Sequence, residues 1–238
     1  MNDVLKGKYA LVTGANGGLG HAIAAELALQ GCNLFLTSRK SSQLAGVVEE
    51  FKKRNIAAEA FPADLADAGD VEKLIGQVRL KFSCLDILVN CAGLFPVGPV
   101  AATTVGEFDQ CFAVNVRAPF LLCRAFLPDM AKQRWGRVVN IGSSSAFAGV
   151  KNTAIYCSSK HALLGLTRSL YEEMRGENVR VMSLNPGSIR TEMGKSVPNQ
   201  DFNTFLDPVD IARYLAFVIS FDKELVAEEV RLNRLIIR

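Results

Sequence analysis

The chain has 238 residues, 49% of them hydrophobic and 21% charged, with a formal net charge of +3. That balance excludes a disordered chain, which needs low hydrophobicity with high net charge, and the length supports a core without disulfide or metal staples. Basic and acidic residues alternate along the sequence instead of clustering, so the slight positive excess leaves no footprint for nucleic acid.

In chain order, short apolar runs predict strands over Tyr9–Thr13, Asn33–Thr37, Ala57–Phe61, Ile87–Asn90, Arg137–Ile141 and Arg180–Leu184. Helical patterns lie between and after them, near 19–30, 41–54, 68–82, 107–132 and 155–175. Asp207-Pro208 opens a further helix near 208–221, and Glu228–Ile237 reads as a final strand. Apolar strands separated by helices indicate a parallel sheet covered on both faces. The expected fold is therefore α/β: one domain over 1–238, a doubly wound, Rossmann-like sheet that binds ligands beyond the carboxyl ends of its strands. The stretch 188–206 has little periodicity and is expected to form a loop over the substrate.

The six cysteines form no C-x-x-C pair and the two histidines lie far apart, so no metal is expected. The N-terminus meets Gly7 before a signal-peptide core could develop, and the longest charge-free stretch, Ile87 to Gly106, is broken by glycines and prolines. The expectation is a soluble, cytoplasmic protein with no membrane partner.

The first strand runs into Thr13-Gly14-Ala15-Asn16-Gly17-Gly18-Leu19-Gly20, and a helix begins at once. Such glycines let a backbone approach a pyrophosphate, while the helix start offers free N–H groups and a positive dipole end. Between a strand and a helix this turn points to a dinucleotide; without G-K-[ST] it is no triphosphate loop. The acid that would bind ribose hydroxyls after the second strand is absent, and Ser38-Arg39-Lys40 stand there instead. A hydroxyl beside cations suits a 2′-phosphate, so NADP(H) is the expected cofactor, held by Ser38 and Arg39.

Tyr156 and Lys160 stand four apart and share one face of a helix, with Ser143 thirteen residues upstream of Tyr156. A nearby ammonium favours the phenolate and lowers a tyrosine pKa that is ordinarily about 10, and a serine hydroxyl can hold an oxygen on which charge develops.

With these motifs in order, the chain resembles the short-chain dehydrogenase/reductase family over nearly its whole length. Thr13-Gly14 with Gly18 and Gly20 resembles the cofactor turn, and Asp64-Leu65 resembles the adenine contact. Asn90-Cys91-Ala92-Gly93 is similar to the family's Asn-Asn-Ala-Gly, and Pro186-Gly187 with Thr191 to the turn at the nicotinamide end. Asn115 resembles the helix asparagine that anchors a relay water, and Ser143, Tyr156 and Lys160 resemble the catalytic serine, tyrosine and lysine. The resemblance implies hydride transfer between the cofactor and a carbonyl or alcohol, with Tyr156 as acid or base, Ser143 on the substrate oxygen and Lys160 on the cofactor ribose. It also implies a homo-oligomer.

Three departures stand out. Cys91 replaces the second asparagine, Gly17 sits where many NADP-preferring members carry a basic residue, and the C-terminal segment lacks the family's glycine-rich tail, which leaves dimer and tetramer both open. The near match to G-x-S-x-G around Ser145 fails as a hydrolase, because no acid lies between Ser145 and His161 and no histidine follows. A non-catalytic dinucleotide sensor on the same fold remains as an alternative. Leu94, Phe95, Val97, Phe147, Ile155, Met193, Phe202 and Phe205 are expected to wall the pocket, with Lys151, Arg190 and Lys195 as polar handles. That lining suits a medium-sized ketone such as a 3-oxoacyl thioester; a xenobiotic or sugar-type carbonyl is the alternative. Apolar residues in two helices (Phe112, Val116, Phe120, Leu121; Leu163, Leu164, Leu166, Leu170) are expected to pair with a second subunit.

Overall fold

The structure, a computed structural model, describes residues 3–54, 56–197 and 200–235. Among these residues seven strands lie side by side in the order β3-β2-β1-β4-β5-β6-β7, every neighbouring pair parallel. They are β1 (Tyr9–Thr13), β2 (Asn33–Thr37), β3 (Ala58–Ala60), β4 (Ile87–Asn90), β5 (Gly136–Ile141), β6 (Val179–Pro186) and β7 (Glu229–Leu232). The helices are α1 (Gly18–Leu29), α2 (Ser41–Lys53), α3 (Ala68–Lys81), α4 (Val105–Phe112), α5 (Ala118–Lys132), α6 (Ala154–Met174) and α7 (Pro208–Ile219). The order reverses between β1 and β4, which opens a crevice at the carboxyl ends of those two strands.

Side chains alternate across the sheet with period two, and the two faces bury separate cores. Ala10, Val12, Leu34, Leu36, Val89 and Val139 face α1, α2 and α7, meeting Ile23, Leu27, Phe51 and Leu215. Leu11, Phe35, Leu88, Val138 and Val181 face α3 and α5, meeting Leu74, Val78, Leu122 and Phe126. Each fully buried Leu, Ile or Phe stabilises the fold by about 1.5–3 kcal/mol, so both helical layers are needed.

Two elements differ markedly from expectation. The final strand ends at Leu232, short of the predicted Ile237, and positions 236–237 lie outside the described residues. The predicted helix 107–132 starts two residues earlier, because Thr104 and Glu107 form a reciprocal capping box. That helix is also interrupted by a π turn over Ala113–Arg117. By length and apolar composition alone Val105–Lys132 could cross a membrane, but 61% of its most apolar window is buried against the rest of the fold.

Buried charge sits at the amino ends of β5 and β6. Arg137, fully buried, donates through Nε to Ile219 O (3.1 Å) and through its Nη atoms to Gly136 O (2.9 Å), Phe221 O (3.0 Å) and Asp222 Oδ1 (2.7 Å), and it stacks on Trp135 at 4.2 Å. Arg180, its register partner on β6, donates to the carbonyls of Phe221 and Lys223. Two guanidinium groups thus meet carbonyls at and just beyond the C-terminus of α7, where the helix dipole favours cations.

Candidate active site

The glycine turn is built by steric necessity. Gly14 has φ +69°, and a Cβ there would stand 3.0 Å from Ala92 Cα; a Cβ on Gly20 would fall 2.2 Å from Gly14 O. Only glycine at both positions lets β1 turn into α1 while keeping against the end of β4. Thr13 fixes that approach from below: its hydroxyl oxygen accepts from the Cys91 and Ala92 N–H groups, each at 3.0 Å.

A cleft of about 510 Å³ opens over this turn. Along it lie Gly14, Asn16, Gly18, Leu19 and Gly20, then Ser38 and Arg39, Asp64 and Leu65, Ala92 and Gly93, Ser143, Tyr156 and Lys160, and Pro186, Gly187 and Thr191. Residues scattered over some 180 positions of sequence therefore share one cavity, at the carboxyl edge of the sheet. Ser38 is buried and Arg39 exposed; Asp64 accepts the Ala66 N–H at 2.9 Å, which fixes its carboxylate.

Three of the expected site residues stand behind the wall instead of in it. Thr13 braces β1 to β4, and Asn90 joins β4 to β5 by donating to Asn140 Oδ1 at 2.8 Å. Asn115, almost wholly buried, spends its side-chain amide on the protein: it accepts from Leu94 N–H (2.8 Å) and donates to Leu94 O and Ser159 Oγ, both at 3.0 Å. The π turn carries it inward, and no local signature in the sequence announces that turn.

Ser143, Tyr156 and Lys160 meet on one wall. Ser143 caps a short turn after β5, and its Oγ accepts the Ser145 N–H at 3.1 Å, which leaves the hydroxyl proton to donate outward. Phe95 meets the Tyr156 ring edge-on at 4.6 Å and fixes its tilt. Lys160 Nζ donates to Ile141 O at 2.7 Å and stands 5.7 Å from the centre of the Tyr156 ring. Gly93 faces it from across the cleft: a Cβ there would lie 3.8 Å from Nζ.

Burial governs the titration of both groups. It pushes the Tyr156 phenol up to about 12, against a lowering by the Ser143 hydroxyl beside it. It pushes the Lys160 ammonium down to about 8, although the neighbouring Cys91 and Cys111 thiols work the other way. With the protein's own groups alone, the phenol is not lowered as the four-residue spacing suggests: desolvation dominates, and the one lowering comes from Ser143, not from Lys160.

The expected substrate walls are only partly those observed. Leu94, Phe95 and Met193 line the cleft, joined by Val150, Ile189 and Val197, while Ser144, Ser188 and Gln200 add polar atoms that sequence reasoning had not singled out. Phe205 is buried beneath the 200–206 segment, Ile155 is buried in α6, and Val97, Phe147 and Phe202 lie outside the lining. The expected cationic handles are engaged or remote: Arg190 pairs with Asp207, Lys195 pairs with Glu192 at 2.6 Å, and Lys151 does not line the cleft. Among the described residues no three metal-ligating side chains cluster.

Comparison with known proteins agrees with this architecture. The short chain dehydrogenase family profile matches residues 8–201. An uncharacterized oxidoreductase of Staphylococcus saprophyticus is 32% identical over 227 residues, 95% of this chain and 97% of the relative. A metagenomic short-chain oxidoreductase solved in complex with NADP superposes with a TM-score of 0.86 at 33% identity, covering 98% of this chain and 100% of that one. An alcohol dehydrogenase from the archaeon Thermococcus sibiricus, complexed with 5-hydroxy-NADP, gives 0.89 at 27% identity, covering 97% of each chain.

Proposed function

The chain belongs to the short-chain dehydrogenase family of oxidoreductases, and from that premise we propose that it is an NADP(H)-dependent reductase of a medium-sized ketone, acting as one catalytic domain. The observation that carries this reading is the convergence of Ser143, Tyr156 and Lys160 on one wall of a cleft whose far end is the Gly14–Gly20 turn with Ser38 and Arg39.

The cleft fits the cofactor at points where a side chain would intrude: the turn holds its backbone against Ala92, and no acid stands beside Ser38 to repel a 2′-phosphate. The N–H groups at the start of α1 would hold the pyrophosphate, Ser38 and Arg39 the 2′-phosphate, Asp64 and Leu65 the adenine, and Pro186, Gly187 and Thr191 the nicotinamide end. When bound, the cofactor supplies or accepts the hydride.

The chain's own residues manage the oxygen. Ser143, one of its lone pairs taken by the Ser145 N–H, donates to the carbonyl oxygen and stabilises charge developing there. Tyr156, protonated at neutral pH by a wide margin, donates its proton to that oxygen in reduction. Lys160 has one protein acceptor among the described residues, Ile141 O, and two further donors for the cofactor ribose. Asn115 keeps the turn at Leu94 against the helix, close to Gly93 and Lys160, where a relay water would be anchored.

The largely apolar substrate side, Leu94, Phe95, Val150, Met193 and Val197, favours a ketone with hydrocarbon around it, a 3-oxoacyl thioester being the leading choice over a xenobiotic or sugar-type carbonyl. Titration of the protein with NADPH and with NADH, followed by nicotinamide fluorescence, tests the cofactor; ketone reduction in the loaded protein tests the rest. Tight NADPH with weak NADH is expected, and binding of neither would return the sensor alternative.

A homo-oligomer, dimer or tetramer, is part of the proposal. Phe108 and Phe120 remain 42% and 44% exposed on α4 and α5, whereas Leu121, Leu163 and Leu164, expected at the contact, are buried within this subunit. A monomer in sedimentation at micromolar concentration would remove it. Six free thiols suit a reducing compartment, the cytoplasm, which fractionation tests.

A further inference from the structure

The segment that follows β7 reaches back over the substrate side of the cleft. Arg234 donates through Nη2 to Gln200 Oε1 at 2.6 Å and through Nη1 to Thr204 Oγ1 at 2.9 Å, and its guanidinium lies 5.0 Å from the centre of the Phe205 ring. Gln200 lines the cleft, and the same Oε1 takes a second hydrogen bond from Ser188 Oγ at 3.1 Å.

These contacts orient the amide. Guanidinium has donors and no acceptor, so the atom of Gln200 that faces Arg234 must be its oxygen. With that oxygen doubly engaged, the amide NH2 is left as the group Gln200 can offer to the cavity. Beside Gln200 the lining holds Ile189, Met193 and Val197 together with Ser188 and the carboxylate of Glu192, and the nearby cations Arg190 and Lys195 pair with Asp207 and Glu192. A neutral donor in such surroundings recognises a neutral acceptor, because a carboxylate would meet the like charge of Glu192 in the lining while Arg234 stands behind Gln200, outside it.

Resting on the reductase reading above, we infer that Gln200 is a substrate-recognition residue, held in place by Arg234, which selects ketones carrying a second, uncharged acceptor oxygen such as an ester, thioester or amide carbonyl. Arg234 is a positioning residue: it touches Gln200, not the substrate.

The test compares a 3-oxo ester with a plain ketone of equal chain length in the NADPH-loaded protein, for wild type, Gln200→Leu, Arg234→Ala and Arg234→Lys. Thermal-shift titration of the NADP+-loaded protein with the same two compounds accompanies the kinetics. Wild type is expected to favour the ester by about tenfold in kcat/KM, the value of one neutral hydrogen bond in an apolar site, with the difference falling on KM. Gln200→Leu and Arg234→Ala are expected to bring that ratio close to one, and Arg234→Lys to restore part of it. Equal preference in wild type, or an ester preference that survives Gln200→Leu, overturns the inference and leaves the reductase reading standing. Tighter binding of the ester without turnover of either compound upholds the recognition and overturns the reductase reading. Neither binding nor turnover of either compound overturns both.

Discussion

Two cations are buried at opposite ends of β5, and their surroundings differ. Arg137, at the amino end, spends its donors on Gly136, Ile219, Phe221 and Asp222 and sits over the Trp135 ring. Burial and the neighbouring Arg180 bring it down to about 10, with Asp222 opposing, so it remains charged at neutral pH. Lys160, at the carboxyl end, meets the carbonyl of Ile141 and is brought down to about 8. A buried charge whose donors the protein uses up is a structural part. One with donors to spare, on a cavity wall beside a protonated phenol, costs stability that is recovered elsewhere. The sheet is thus closed by charge at one end and poised by charge at the other.

The sharpest way to break this contrast is at the poised end. Tyr156→Phe is expected to lower kcat about 10³-fold, the scale of a lost general acid, while NADPH still binds in a fluorescence titration. Surviving turnover would mean that the proton comes from another group. Next, Arg137→Met is expected to lower unfolding free energy by about 3 kcal/mol in urea titrations, because buried carbonyls lose their donors. Lys160→Met should leave stability unchanged or higher while abolishing turnover, and equal destabilisation by the two variants would dissolve the distinction. Arg39→Ala is expected to weaken NADPH binding about tenfold, the value of a charge-assisted contact, with NADH binding unmoved in the same assay.

The smallest effect is in pH. Folded Lys160, near 8 against an ordinary 10.5, binds fewer protons than the unfolded chain across that window, so its contribution to stability rises with pH from about 8 to 10.5. Cys32, Cys91 and Cys123, raised by burial from 9.0 to about 12, act in the opposite sense from pH 9 upward. Between pH 8 and 9 wild type should therefore gain stability relative to Lys160→Met, measured by urea unfolding at each pH; a loss would reverse the assignment of the shift.

The poised end was the more legible of the two in the sequence. The glycine turn sits between a strand and a helix, and the Tyr156/Lys160 pair shares a helix face, both patterns of short range. The closed end was not legible, because Arg137 and Arg180 read as ordinary charges in strands until the C-terminus of α7 arrives some 40 to 80 residues later to cover them. Gln200 escaped for the same reason, since its orientation depends on an arginine 34 positions away. Arg190 and Lys195 read as handles because a sequence does not show which cation an acid has already claimed, and Lys151 because it does not show which loop residues reach the cleft.

The π turn at Ala113–Arg117 divides one long helix into halves that are phased independently. Upstream and within the turn, the helix face is set by Cys111 and Asn115 against Leu94 and Ser159; downstream, by Leu122 and Phe126 against the sheet. Regularising the turn at fixed length would rotate one half against the other by about 100°, so either the asparagine or the core would swing out to solvent, whereas losing one residue together with the turn would leave both faces in phase. The extra residue and the wide turn thus compensate each other, and natural variation in this segment is expected to keep both or to lose both together.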